Sequence, residues 1–160
     1  MEKLSTLITL SSVTVTVISV LIALYQIANY SADYVNIGSK RKKALKGNWF
    51  GKFKQHNLIN GSELSGDMKL TLNSKRKLIT GDIDLFQQYF NKHDFLIVKG
   101  GMRNERYLIL QYRNLNDNII QFGFMFLEFS SNCKRLSGKI VGYGPESEKI
   151  VSADVQFEHS

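Results

Sequence analysis

The stretch GNWFGKFK, residues 47–54, marks a change of texture in this chain. Trp49, Gly51 and Phe53 share one parity, and Lys52 and Lys54 take the other. Side chains alternate across a strand with a period of two, so this is the pattern of a strand with one buried and one wetted face. The alternation returns downstream. DMKLTL (67–72) sets Met68, Leu70 and Leu72 on one face, and LITGDIDL (78–85) groups Ile79, Gly81, Ile83 and Leu85. FLIVKGGM (95–102) and RYLILQYR (106–113) flank Arg103-Asn104-Glu105 as the arms of a hairpin. IIQFGFMFLEF (119–129) is the most apolar run, followed by RLSGKIVGYG (135–144) and KIVSADVQFE (149–158). The segment FQQYFNKHD (86–94) breaks the series and is expected to form a short helical turn that caps the domain.

Eight such runs, joined mostly by tight turns, have no long helix to cover an open sheet. The sheet must then bury its apolar face on itself. A mainly β fold follows: a compact eight-stranded antiparallel up-and-down β-barrel over residues 47–160, with a two-sheet sandwich as the alternative. Glycines 100, 101, 138, 142 and 144 are expected to supply the curvature for closure.

Upstream the composition is different. Leu4 to Ala28 contains no charged residue. About 20 apolar residues in a helix span the hydrocarbon core, so this run suffices for one pass, with Leu4, Leu10, Val17 and Leu24 along it. Tyr25, Tyr30 and Tyr34 fall where an interfacial aromatic belt would lie. A cleaved export signal fits less well, because Ala28 follows Gln26 by two places and Ala32 follows Tyr30, and neither makes a small-residue cleavage site. A soluble core helix would leave one face polar, and this run is apolar all round. Ser31 to Lys46 reads as a helix extension or linker, and the expected organisation is a single transmembrane anchor over 1–34, a basic juxtamembrane linker over 35–46 and the barrel from 47.

Net charge is +7, and its position along the chain is informative. Lys40, Arg41, Lys42, Lys43, Lys46, Lys52 and Lys54 have no acid among them, while the remaining basic residues equal the 14 acids in number. A nucleic-acid binder would spread its cations over a face of its folded domain, so no DNA or RNA polymer is expected as partner. A basic cluster beside an apolar run is the pattern retained on the cytoplasmic side of a bilayer. That places the barrel in the cytoplasm, on a chain crossing the inner membrane once. The single cysteine, Cys133, rules out an intramolecular disulfide.

Catalytic signatures are missing. His56, His93 and His159 are scattered, and there is no metal-protease helix, nucleophile elbow or phosphate loop. Asp82 and Asp84 read as a charged outer strand face. No enzyme activity, cofactor or metal is expected. Binding chemistry is available instead: Lys99, Arg103, Arg106, Tyr107, Arg113 and Tyr143 offer phosphate-pairing cations and stacking rings, a mix suited to an anionic aromatic ligand such as a nucleotide. Tyr107 and Arg113 fall on one face of their strand and Tyr112 on the other, so the two sets cannot line one pocket.

Gly47-Asn48-Trp49 resembles the G-x-W opening of lipocalin- and avidin-type barrels, in which the Trp packs across the floor. The larger pattern, an apolar N-terminal segment, a basic junction and a small barrel opening LKGNWFGKF with LITGDI at 78–83, resembles the SMODS-associated two-transmembrane β-rich effectors. These belong to bacterial cyclic-oligonucleotide anti-phage defence. The resemblance implies a barrel that senses a cyclic dinucleotide, and a homo-oligomer whose assembly disrupts the inner membrane. Where that family has two membrane helices, only one fits between Leu4 and Ser31. Two other readings stay open: a lipocalin-like carrier, exported or anchored, that holds an apolar molecule within a wholly apolar interior, and a filled barrel that only presents a surface to a partner protein.

Overall fold

The computed structural model describes residues 34–56, 63–87, 91–145 and 148–160. The described part is a closed antiparallel barrel whose eight strands neighbour one another in sequence order. They are β1 (Gly47–His56), β2 (Glu63–Lys75), β3 (Leu78–Gln87), β4 (Lys92–Arg103), β5 (Tyr107–Asn114), β6 (Phe122–Phe129), β7 (Arg135–Gly144) and β8 (Lys149–His159). β8 returns to β1, with Trp49 opposite His159 and Phe53 opposite Val155. Closure leaves no unpaired sheet edge, which is why eight short strands are stable without covering helices.

The register carries the alternation read from the sequence around the barrel. Trp49 lies opposite Leu70, Leu70 opposite Ile83, and Ile83 opposite Leu96. All four are buried and fill the interior, as do Phe129, Leu127, Leu110 and Phe157. At Gly138 the strand turns so sharply that a Cβ would overlap the Phe126 carbonyl oxygen of the neighbouring strand, so only glycine fits the bend.

Two expectations are corrected. The described ends of the segment 86–94 are strand rather than an interlude: β3 runs on to Gln87 and β4 begins at Lys92, with Phe86 opposite His93 and Gln87 opposite Lys92, and residues 88–90 lie outside the described residues. What holds the strand ends together is a buried hydrogen bond, in which the Gln87 side-chain amide donates to Asp94 Oδ2 at 2.7 Å. The segment 35–46, expected as a basic linker, packs on the barrel together with Tyr34. Tyr34, Ile37 and Leu45 are buried, and Val35 N donates to the Met102 carbonyl at 2.9 Å. Ser39–Leu45 forms a short helix, α1, across one mouth of the barrel. Its Leu45 is fully buried, and its carbonyl accepts the Trp49 indole N–H at 3.0 Å. An open barrel mouth leaves core side chains wet, and these apolar positions close it.

Among the described residues no helix is long and apolar enough to cross a membrane. The expected anchor, with Leu4, Leu10, Val17 and Leu24, lies outside the described residues.

An aromatic outer wall as the candidate functional site

β6 is apolar on both parities. Gly123, Met125, Leu127 and Phe129 point inward and are buried, and Phe122, Phe124 and Phe126 point outward, exposed by 53, 39 and 49%. A barrel has one inside, so the second apolar row stays in water. Exposed apolar runs of this kind mark interaction surfaces more often than chance packing. Pairing fixes the surroundings of each ring. Phe122 lies between Arg113 and Tyr143, Phe124 between Gln111 and Val141, and Phe126 between Ile109 and Lys139. Phe122 and Tyr143 are stacked, with centroids 6.1 Å apart and planes at 10°. Phe124 and Phe126 follow at 6.3 Å.

The six residues read as ligand contacts all sit on this outer wall of β4–β7, and none points into the barrel. They divide into two groups. Arg113 and Tyr143 flank Phe122 at the end far from α1. Arg103, Arg106 and Tyr107 gather at the other end, six residues along β5, roughly 20 Å away. Lys99 lies one strand aside, opposite Gln111. In the upper group Arg106 is committed: its Nε and Nη2 donate to Glu128 Oε1 at 2.9 and 2.6 Å, and its guanidinium lies 5.7 Å from the Tyr107 ring centre. The hydrogen bond to Glu128, with the attraction between the two charges, raises the Arg106 pKa from its ordinary value. Arg113 donates to Asp117 Oδ1 at 2.7 Å, and that carboxylate is 87% exposed. As the alternation requires, Tyr112 points inward and is buried, and burial pushes its phenol up to about 12.

The interior departs from what an apolar carrier needs. Gln87, Asp94, Asn114 and Gln121 are buried in its lower half, with the Asn114 amide donating to Gln121 Oε1 at 2.7 Å. Bulky side chains such as Trp49, Phe129 and Phe157 occupy the upper half.

A groove of about 410 Å³ on the opposite wall was not anticipated. Phe50, Lys69, Asp84, Phe86 and His93 line it. His93 Nδ1 is 2.8 Å from Asp84 Oδ1, and its ring lies 4.8 Å from that of Phe86. A His–Asp couple needs a hydroxyl or thiol beside it to act as a nucleophile's base, and the only cysteine, Cys133, lies in the β6–β7 turn. Among the described residues no group of three His, Cys, Asp or Glu side chains is placed to hold a metal. The Phe122–Phe126 row could have been found from FGFMFLEF itself, where both parities are apolar. The groove could not, because its residues come from four strands.

No protein-family model matches this chain, and no curated protein matches it.

Proposed function

We propose that this chain is a membrane-anchored effector of bacterial anti-phage signalling, whose cytoplasmic barrel recognises a cyclic dinucleotide on its outer wall at Arg113, Phe122 and Tyr143. One observation carries the reading: two stacked rings with a forked cation beside them. Aromatic faces accept a base, and a guanidinium takes two phosphate oxygens at once. Arg113's present partner, Asp117, is exposed, and an exposed ion pair is given up at little cost. The uncharged run from Leu4 to Ala28 and the barrel that follows it support the anchored part through the resemblance stated above.

A ligand on an outer wall keeps one side open to solvent. A dinucleotide has two bases, so a second copy can stack on the base that the first leaves uncovered. Binding in this way joins chains, and joined chains bring their membrane segments together, which is the step that disrupts the bilayer. The test is calorimetric titration of the full chain in detergent with a panel of cyclic dinucleotides. A saturable heat with at least one of them is expected, weakened about tenfold or more by Arg113→Ala or Phe122→Ala. No heat across the panel removes the reading.

A further inference from the structure

Up-and-down topology sends the β2–β3, β4–β5 and β6–β7 turns to one end of the barrel, the end that α1 closes. Every one of these turns is basic. The first has Lys75, Arg76 and Lys77, all exposed. The second has Arg103 and Arg106, and the third Lys134 and Arg135. α1 and the residue after it add Lys40, Arg41, Lys42, Lys43 and Lys46. Three acids share this end: Glu105, Glu128 and Glu158. Glu128 lies 2.6 Å from Arg106, and Glu158 3.9 Å from Arg135. Elsewhere in the described residues basic and acidic side chains are equal in number. Folding therefore gathers on one end of the barrel basic residues that lie apart along the sequence, in three turns and in α1.

The chain also joins the barrel here. Tyr34 is buried beside Gly101, and Val35 N donates to the Met102 carbonyl near the end of β4, so the first described residues are held at the basic end. We propose that this end docks on an anionic bilayer surface, with the turn lysines and arginines against lipid headgroup phosphates. The inference rests on the anchored reading, and adds the surface that faces the lipid and the headgroup charge it selects. Polybasic surfaces are attracted to anionic lipid within a Debye length. A single-stranded nucleic acid would need a series of stacking rings among the cations; here Tyr107 is exposed at this end, its ring already under the Arg106 guanidinium, while the exposed Phe50, Phe95, Phe122, Phe124 and Phe126 lie on the barrel wall.

Cys133, in the β6–β7 turn, is a native reporter at this end. The full chain is reconstituted into vesicles of phosphatidylcholine alone or with phosphatidylserine, and Cys133 labelling by a bulky maleimide is timed. Labelling several-fold slower in the anionic vesicles is expected. The protection should be lost in high salt, in Lys75→Glu/Arg76→Glu/Lys77→Glu, and in Lys40→Glu/Lys43→Glu, each variant checked for folding by circular dichroism. Equal labelling in both vesicle types, with the chain still resisting an alkaline wash, overturns the docking and leaves the anchor standing. Release by the alkaline wash with salt-sensitive protection on anionic vesicles does the reverse. Stronger protection by a single-stranded oligonucleotide than by anionic vesicles also overturns it.

Discussion

The Tyr112 hydroxyl sits where a side chain on Gly123 or Gly142 would have to be, so two glycines on β6 and β7 make room for one phenol on β5. Burial there raises its pKa from 10 to about 12, because the low-polarity interior disfavours phenolate. The sign of the linkage follows. Below pH 10 the phenol is neutral in both folded and unfolded chains and stability does not depend on it. Between about 10 and 12 the unfolded chain releases the proton while the folded one keeps it, so stability falls as pH rises. Urea unfolding from pH 9 to 11.5 should show a steeper decline in the native chain than in Tyr112→Phe, by a difference on the order of 2 kcal/mol at the upper end. Parallel curves would mean that the hydroxyl reaches solvent. Trp49 is the second residue whose surroundings define the core. It touches Phe129 and His159 edge-on at 5.9 and 4.6 Å while its N–H is held by Leu45.

At the scale of elements, the packing of α1 on the barrel is what the sequence does not show. SKRKKAL reads as charge, because five of its seven residues are polar or cationic and about two turns are too short for a helical apolar stripe. Only Leu45 goes fully into the core, together with Ile37 and Tyr34 from the extended segment before it. The spacing of those three positions does not act as a helical face, because the helix begins only at Ser39; the barrel mouth joins them. Leu45→Ala should cost about 2–5 kcal/mol in urea unfolding, as for other fully buried leucines, whereas a tethering linker would show no change. The strands were legible for the opposite reason. Alternation such as Met68, Leu70, Leu72 against Asp67, Lys69, Thr71 repeats over several residues and survives small errors of boundary. The strand ends at Gln87 and Asp94 are hidden in the sequence because both residues look like loop residues until their pairing across the strand ends is seen. Alternation puts Tyr107 and Arg113 on one face of their strand but leaves open whether that face is wall or interior, and the rings beside them are hidden within a run that reads only as apolar.

For the whole molecule, the partition between inside and outside can be tested on a single strand. Phe124→Thr and Phe126→Thr should change unfolding free energy by about 1 kcal/mol, since both rings are only part-covered on the barrel wall, while Met125→Ala and Leu127→Ala should each cost about 2–5 kcal/mol. Equal losses in both sets would put β6 in the middle of a sandwich rather than in a barrel wall. The same closure has a consequence for how the chain folds. Seven of its strand contacts join immediate neighbours through a turn or loop, but the eighth, Trp49 with His159, must bring together residues more than a hundred positions apart. Distant pairing is entropically costly and slow, so the seam zips last. Until it does, β1 and β8 are both open edges, complementary to each other. At high local concentration two chains can then satisfy them crosswise, the β8 of one completing the other, and an intertwined pair is the misassembly this topology invites.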